Sequence, residues 1–245
     1  MTSAGLPSLR PSPLMVALRL GRVSNVPTVF TNVAAGLALA GGQPLSWLSA
    51  ILGLAVAAFY VGGMYLNDGF DAAWDAQHRP ERPIPSGQVR RSTVLIAGFG
   101  LLAVGMMLVL LAAASPSTLG AAFALGALIV IYDVAHKQNP LSPLVMAACR
   151  VAVYVLAAAA VVPFPPPRPV WFGALALALY LVFLSTLARK ETIHPKLPKM
   201  IGTLVAGIAL VDAGVLAICG HMVAAALAVA AFFLTRFLQK SVPGS

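Results

Sequence analysis

From Val23 to Leu238 the chain divides into eight apolar stretches, each about as long as a lipid bilayer is thick. They run approximately over 23–42, 47–67, 93–114, 117–134, 142–162, 170–189, 200–219 and 221–238. A hydrocarbon core about 30 Å across takes about 20 residues of α-helix to span. Inside it every backbone N–H and C=O must find a partner within the protein, so stretches of this length fold as helices. Only 9% of the 245 residues are charged, against roughly 25% in a soluble domain. The sequence therefore predicts an all-α integral membrane protein, one polytopic domain over residues 1–245. The breaks between spans are turn chemistry: Gly41-Gly42-Gln43-Pro44, Ser115-Pro116-Ser117, the run from Pro163 to Pro169, and Cys219-Gly220. Residues 1–15 are rich in Pro and Ser and the first apolar run is long, so no cleavable signal peptide is expected. Cys149 and Cys219 fall in apolar stretches, as small buried thiols do, with no disulfide framework or zinc spacing around them.

The charges sort by loop. Arg10, Arg19 and Arg22 precede the first span; Arg79, Arg82, Arg90 and Arg91 separate the second from the third. Lys137 lies between the fourth and fifth, Arg189, Lys190, Lys196 and Lys199 between the sixth and seventh, and Arg236 and Lys240 after the last. Of the 16 basic residues, all but Arg150 and Arg168 map to one face. By the positive-inside rule that face is cytoplasmic, with both termini and a tail over residues 1–18 on it. The net charge of +9 thus reports topology, and no basic patch interleaved with aromatics points to nucleic acid. The acids crowd the same face: Asp68, Asp71, Asp75, Glu81, Asp133 and Glu191, leaving Asp212 alone within a span. Polar chemistry is concentrated in three segments, 67–91, 132–140 and 185–199.

In the first segment Asn67, Asp71 and Asp75 recur every four residues. On a helix those positions share one face, about 6 Å apart per step. Acids spaced by four repel each other, so a cation must complete the arrangement. Two carboxylates and a carboxamide form an oxygen site suited to Mg²⁺. The bland alternative is a solvated helix end neutralised by neighbouring arginines. Asp68 lies about 100° from this stripe and is a weaker candidate. The loop Arg79-Pro80-Glu81-Arg82-Pro83-Ile84-Pro85-Ser86-Gly87 follows. Its prolines forbid a helix and stiffen the loop, which suits a preorganised pair of guanidinium groups for phosphate.

The run N-D-G-F-D-A-A-W-D followed by R-P-x-R-P-I-P-S-G resembles the first signature of the UbiA superfamily of intramembrane prenyltransferases. The resemblance implies a bundle of eight or nine transmembrane helices around a central cavity, in a bacterial-type inner membrane. It implies an isoprenyl diphosphate donor bound through Mg²⁺ and transfer of its prenyl group to an aromatic or other lipid-soluble acceptor. Asn67, Asp71 and Asp75 would then serve the Mg²⁺–diphosphate site, with Arg79 and Arg82 on the phosphates. The second cluster, Tyr132-Asp133-Val134-Ala135-His136-Lys137, stands where the family carries a Tyr followed by a Lys-Arg pair. The resemblance makes Tyr132 and Lys137 ligands of the diphosphate region; a topogenic lysine and an interfacial tyrosine are the plain alternative. The first span opens Leu18-Arg19-Leu20-Gly21-Arg22-Val23-Ser24-Asn25, also like the family, where this helix borders the acceptor pocket. Arg22 and Asn25 are therefore acceptor candidates, Asn25 also being suited to a helix cap.

Arg150 stands inside a span, where a guanidinium is costly unless it faces a polar cavity. It is a candidate for an anionic substrate or a cavity carboxylate. The third segment departs from the family's D-x-x-x-D. Here Arg189-Lys190-Glu191 supplies one acid beside two bases. Either Glu191 alone supports the metal, or Arg189 and Lys190 replace metal charge at the diphosphate. His194 reads as a solvated loop histidine. The H-K-Q-N-P-L-S-P segment and this single acid look most like the EboC-like branch of the superfamily. The single acid also leaves a second reading open, a lipid or polyprenyl-(di)phosphate binding or transport component that holds a diphosphate without breaking it.

Overall fold

The computed structural model describes residues 12–135, 141–188 and 197–242. Among them are nine α-helices and no strand: α1 Pro13–Leu20, α2 Pro27–Leu39, α3 Trp47–His78, α4 Arg91–Ala112, α5 Pro116–Ala135, α6 Ser142–Ala159, α7 Arg168–Ala188, α8 Leu197–Ile218 and α9 Met222–Leu238. Helices α2 to α9 correspond one for one to the eight apolar stretches. Six of them, α3 to α8, are long and apolar enough to cross a membrane, and α2 and α9 are shorter. The addition is α1, a short helix with Ser12 as its cap, accepting from the Met15 N–H at 3.3 Å, and Pro13 in its first turn. It buries Val16 and Leu20 against Val94. The Tyr65 hydroxyl donates to the Ala17 carbonyl at 3.1 Å, tying α1 to α3.

Helix α2 is the axle of the bundle. It packs against α3, α6, α7, α8 and α9, and ten of its 13 residues are buried. A helix apolar on all sides belongs in the middle of a fold. The other helices follow one another around it, each packed on the next from α3 to α9. Small residues permit the close approach: a side chain at Gly36 would meet the Tyr154 backbone at 3.0 Å, so α2 sits directly on α6. Without a hydrophobic drive between helices in lipid, such contacts carry the association.

Helix α3 explains where the polar site falls. Its 32 residues extend roughly 48 Å at 1.5 Å each, well beyond a hydrocarbon core of about 30 Å. If Trp47 stands at one boundary, about 20 residues of crossing bring the chain to Leu66, and the run from Asn67 onward emerges. Arg22 beside Asp68, Asn67 beside Asp133 and Gln239 beside Asn25 and Gly202 show that the starts of α2 and α8 and the ends of α3, α5 and α9 share this pole. Both ends of the described chain lie there.

Candidate active site

Asn67, Asp68, Asp71 and Asp75 are all buried, between 2% and 8% exposed. The helix end is therefore not a solvated one, although neighbouring arginines do pair with its acids, as the plain alternative expects. Arg82 reaches back from the proline loop and donates from Nη1 to Asp75 Oδ2 at 3.1 Å and to Asp68 Oδ1 at 3.3 Å. The Ser86 hydroxyl closes that loop by donating to the Arg82 carbonyl at 2.7 Å. Arg22 approaches from the other side, 3.5 Å from Asp68 Oδ1 and 3.2 Å from Met64 Sδ. Its backbone is left-handed, φ 43° and ψ 44°, a conformation that costs a side-chain-bearing residue about 1–2 kcal/mol. Strain of this kind concentrates where geometry serves a site. Arg79 instead lies 5.9 Å above the ring of Trp74, which stacks on His78 with centroids 4.1 Å apart.

Asp68, the weaker candidate by its place off the stripe, shares Arg82 with Asp75. The signal for it is their spacing of seven, two helical turns, which returns to within about 20° of the same direction. Asn67 turns the other way and donates from Nδ2 to Asp133 Oδ1 at 3.3 Å, joining α3 to α5. Asp133, to which the sequence assigns no role, is 3% exposed.

Below this shell lies a cavity of about 140 Å³. Arg22, Asn67, Tyr132 and Asp133 line its polar end, Tyr60, Cys149 and Arg150 its middle, and Val29, Val56, Phe59 and Leu125 its apolar floor. Asn67, Arg22, Tyr132 and Arg150 are thus brought together in one cavity wall, with the acids and Arg82 adjoining it. A larger groove of about 790 Å³ opens between α9 and the start of α3. Its lining is almost wholly apolar, with Phe30, Trp47 and Leu234 among it, and the charged side chains gather at the smaller cavity. Asn25 is buried away from the cavity wall; it donates to Tyr60 Oη at 3.3 Å and accepts from Gln239 Nε2 at 3.0 Å, clasping the end of α9. Lys137, Arg189, Lys190, Glu191 and His194 lie outside the described residues.

Asp212, an intramembrane acid for which the sequence suggests no partner, has three. Its carboxylate accepts from Thr31 Oγ1 at 2.5 Å, Asn32 Nδ2 at 2.7 Å and Tyr154 Oη at 2.5 Å. Asn32 in turn accepts from Arg150 Nη1 at 2.6 Å. Both intramembrane charges therefore belong to one network through α2. No periodicity on a single helix announces it, because its members come from α2, α6 and α8.

Among the described residues no three His, Cys, Asp or Glu side chains converge as a closed metal cage. Mg²⁺ seldom needs one, since it is held by one or two carboxylates with phosphate oxygens and water completing the shell. Asp75 Oδ1 is buried with no hydrogen-bond partner among the described residues. An open, buried carboxylate oxygen suits a divalent cation that is held by one or two carboxylates.

A sequence profile of the UbiA prenyltransferase family matches residues 29–242. The chain belongs to the UbiA prenyltransferase family. Among its relatives, a digeranylgeranylglyceryl phosphate synthase from Methanopyrus kandleri is 34% identical over 166 residues, 67% of this chain and 59% of that protein. Another from Ignicoccus hospitalis is 39% identical over 119 residues, 49% of this chain and 38% of the relative. The matched stretches thus span less than two thirds of those relatives. The fold is shared with a digeranylgeranylglyceryl phosphate synthase structure, TM-score 0.61 at 17% identity, covering 93% of this chain and 88% of the other. It is shared to the same degree with a UbiA homologue from Archaeoglobus fulgidus bound to DMAPP and Mg²⁺, TM-score 0.60 at 15% identity, covering 92% and 87%.

Proposed function

We propose that this UbiA-family protein transfers a prenyl group from an isoprenyl diphosphate to a lipid-soluble acceptor within the membrane, with the diphosphate held at the Asn67–Asp71–Asp75 end of the cavity. The carrying observation is the buried acid cluster at the end of α3, with Arg82 on Asp75 and Asp68 and Arg22 on Asp68, beside a cavity with an apolar floor. That arrangement suits a molecule with a polyanionic head and a hydrocarbon tail. Asp71 and Asp75, with Asn67, are the residues that would hold Mg²⁺, and a bound Mg²⁺ would draw charge off the diphosphate as a Lewis acid. Arg82 and Arg22 supply guanidinium groups for the phosphate oxygens, while Arg79, which the resemblance also assigns to the phosphates, lies over Trp74. Tyr132 of α5 lines the same end of the cavity, and the family resemblance adds Lys137 as a ligand of the diphosphate. In the reaction the allylic C–O bond breaks and its electron pair leaves with the diphosphate. The acceptor oxygen or carbon supplies the pair for the new bond and gives up a proton. Phe59, Val56 and Val29 line the floor with groups that cannot add to the electron-poor carbon, and a dry wall keeps water from it.

The relatives' name, digeranylgeranylglyceryl phosphate synthase, favours a geranylgeranyl donor and a glyceryl phosphate lipid as acceptor over the aromatic acceptor of the family resemblance. Charge bias supports a cytoplasmic position for the acid pole and both termini, in an inner membrane. The test is mass spectrometry of the purified protein with Mg²⁺, geranylgeranyl diphosphate, and either geranylgeranylglyceryl phosphate or a set of phenols. The expected result is a prenylated glyceryl phosphate lipid with release of pyrophosphate. Binding of the diphosphate with neither product would establish the non-catalytic binding or transport role instead.

A further inference from the structure

Arg150 sits in the middle of the cavity wall, within the span of α6, and its guanidinium makes no ion pair with any described residue. Its protein partners are neutral: Asn32 Oδ1 at 2.6 Å, Thr28 Oγ1 at 3.4 Å, and the face of Tyr60 at 5.5 Å from its ring centroid. A guanidinium carries five N–H groups, and the two hydrogen bonds use two of them. The rest of the fork is available to the cavity it lines.

The charge that balances Arg150 is set back by one residue. Asp212 is fully buried and its carboxylate accepts three hydrogen bonds, from Thr31, Asn32 and Tyr154. Because the Asn32 amide nitrogen donates to Asp212, its oxygen must point the opposite way, at Arg150. A carboxylate in direct contact would occupy the guanidinium bidentately and quench it. An amide placed between them passes on electrostatic support while leaving three of the five N–H groups unspent. A network serving only to pin α2, α6 and α8 together would gain more from the direct pair.

We propose that Arg150 is a membrane-embedded anion subsite, separate from the diphosphate site, that receives the phosphate or carboxylate head of a single-chain lipid. Asn32 and Asp212 are its positioning residues. The cavity has room for roughly five water volumes, enough for a headgroup but not a whole lipid, so the chain continues between helices. One anion is then held at the Arg22–Asn67 end and another at Arg150, both in a single cavity. As the acceptor's anchor this rests on the prenyl-transfer reading, but the binding claim can be measured without turnover.

The experiment titrates the full-length protein in detergent by calorimetry, with Mg²⁺ and inorganic pyrophosphate saturating the acid pole. The probes are dodecyl phosphate, dodecanoate and dodecanol. Wild type is expected to bind dodecyl phosphate or dodecanoate at least about ten-fold tighter than dodecanol, and which of the two binds tighter tells phosphate from carboxylate. Arg150→Gln should bring the ratio to near one without changing pyrophosphate affinity. Asp212→Asn should lower it several-fold in protein that still folds and binds pyrophosphate as the wild type does, which a merely structural role would not produce. Arg150→Lys, which keeps charge but not the fork, should fold and lower the ratio. Equal affinity of wild type for all three probes, or a ratio unchanged in Arg150→Gln or in Arg150→Lys, overturns the proposal. Lost prenyl transfer with the preference intact defeats the activity alone; turnover without any preference defeats the subsite alone.

Discussion

Arg82 donates from Nη1 to Asp75 Oδ2 across 3.1 Å, with Asp75 2% exposed. A loop residue seven positions on thus neutralises the most buried acid of the stripe. The bond is to Oδ2 only, and Oδ1 of the same carboxylate stays open among the described residues. Arg82 therefore holds the acids close together against their own repulsion without filling the face a cation would use. Removing one partner of a buried charge pair costs about 2–5 kcal/mol. Arg82→Ala is expected to weaken Mg²⁺-dependent pyrophosphate binding at least about ten-fold, and Arg82→Lys to recover part of it. Calorimetric titration with Mg²⁺ and pyrophosphate checks both, and unaltered binding in Arg82→Ala would remove this arginine from the site.

Asp71→Ala and Asp75→Ala are expected to abolish prenyl transfer while membrane insertion persists. Both acids lie past the roughly 20 residues of α3 that cross the hydrocarbon, so neither substitution disturbs a spanning segment. Pyrophosphate release from geranylgeranyl diphosphate, beside a protease-protection assay of topology, separates the two effects. Turnover at the wild-type rate in either variant would refute the metal-site reading.

Asn67→Ala tests the link between α3 and α5. Its side chain both faces the cavity and donates to Asp133 at 3.3 Å. Loss of the amide leaves Asp133 at the cavity without that donor, a change unfavourable to an incoming diphosphate. A rise in the donor's KM of about ten-fold is expected, with Asn67→Asp more damaging than Asn67→Ala because it adds a like charge. Steady-state kinetics over a donor concentration series would reveal either order.

The helices are legible in the sequence because lipid imposes one rule on every span, and α2 to α9 follow the apolar runs within a few residues, except that α3 continues eleven residues past its run to His78. The acid stripe is legible because Asn67, Asp71 and Asp75 repeat on one helix. Asp68 reads weakly because a spacing of four draws the eye from its spacing of seven to Asp75. The Asp212–Asn32–Arg150 network is hidden for a different reason. Its members lie 62 to 180 positions apart, and only the central placement of α2 brings them together. Helix α1 reads as tail because eight residues are too few to register as a span.

Glu191 and His194 test the third polar segment, which lies outside the described residues. Glu191 is the lone acid where the family carries a pair, so Glu191→Gln is expected to lower kcat clearly. His194→Ala should have a milder effect, as suits the solvated loop histidine that the sequence predicts. Parallel measurements at saturating donor decide it. Negligible losses in both would exclude the segment from the site.

The crossing of α3 and α4 supplies a stability test with its own control. A side chain at Gly62 would meet the Gly98 carbonyl at 2.9 Å, and one at Gly98 would meet Leu66 at 2.8 Å. Backbone cannot yield as a side chain can, so Gly62→Val must push the helices apart, at the roughly 1–3 kcal/mol typical of overpacking. Leu66 precedes Asn67 directly, and a displaced α3 moves the acid stripe with it. Gly62→Val is therefore expected to lower both the melting temperature in detergent and the affinity for Mg²⁺ and pyrophosphate. Gly100 lies on the same helix as Gly98, but a methyl group added there would have nothing within 4 Å. Gly100→Ala should be neutral or stabilising by up to about 1 kcal/mol, since alanine is the better helix former. If both variants melt alike and bind alike, close packing of α3 on α4 does not hold the site in place.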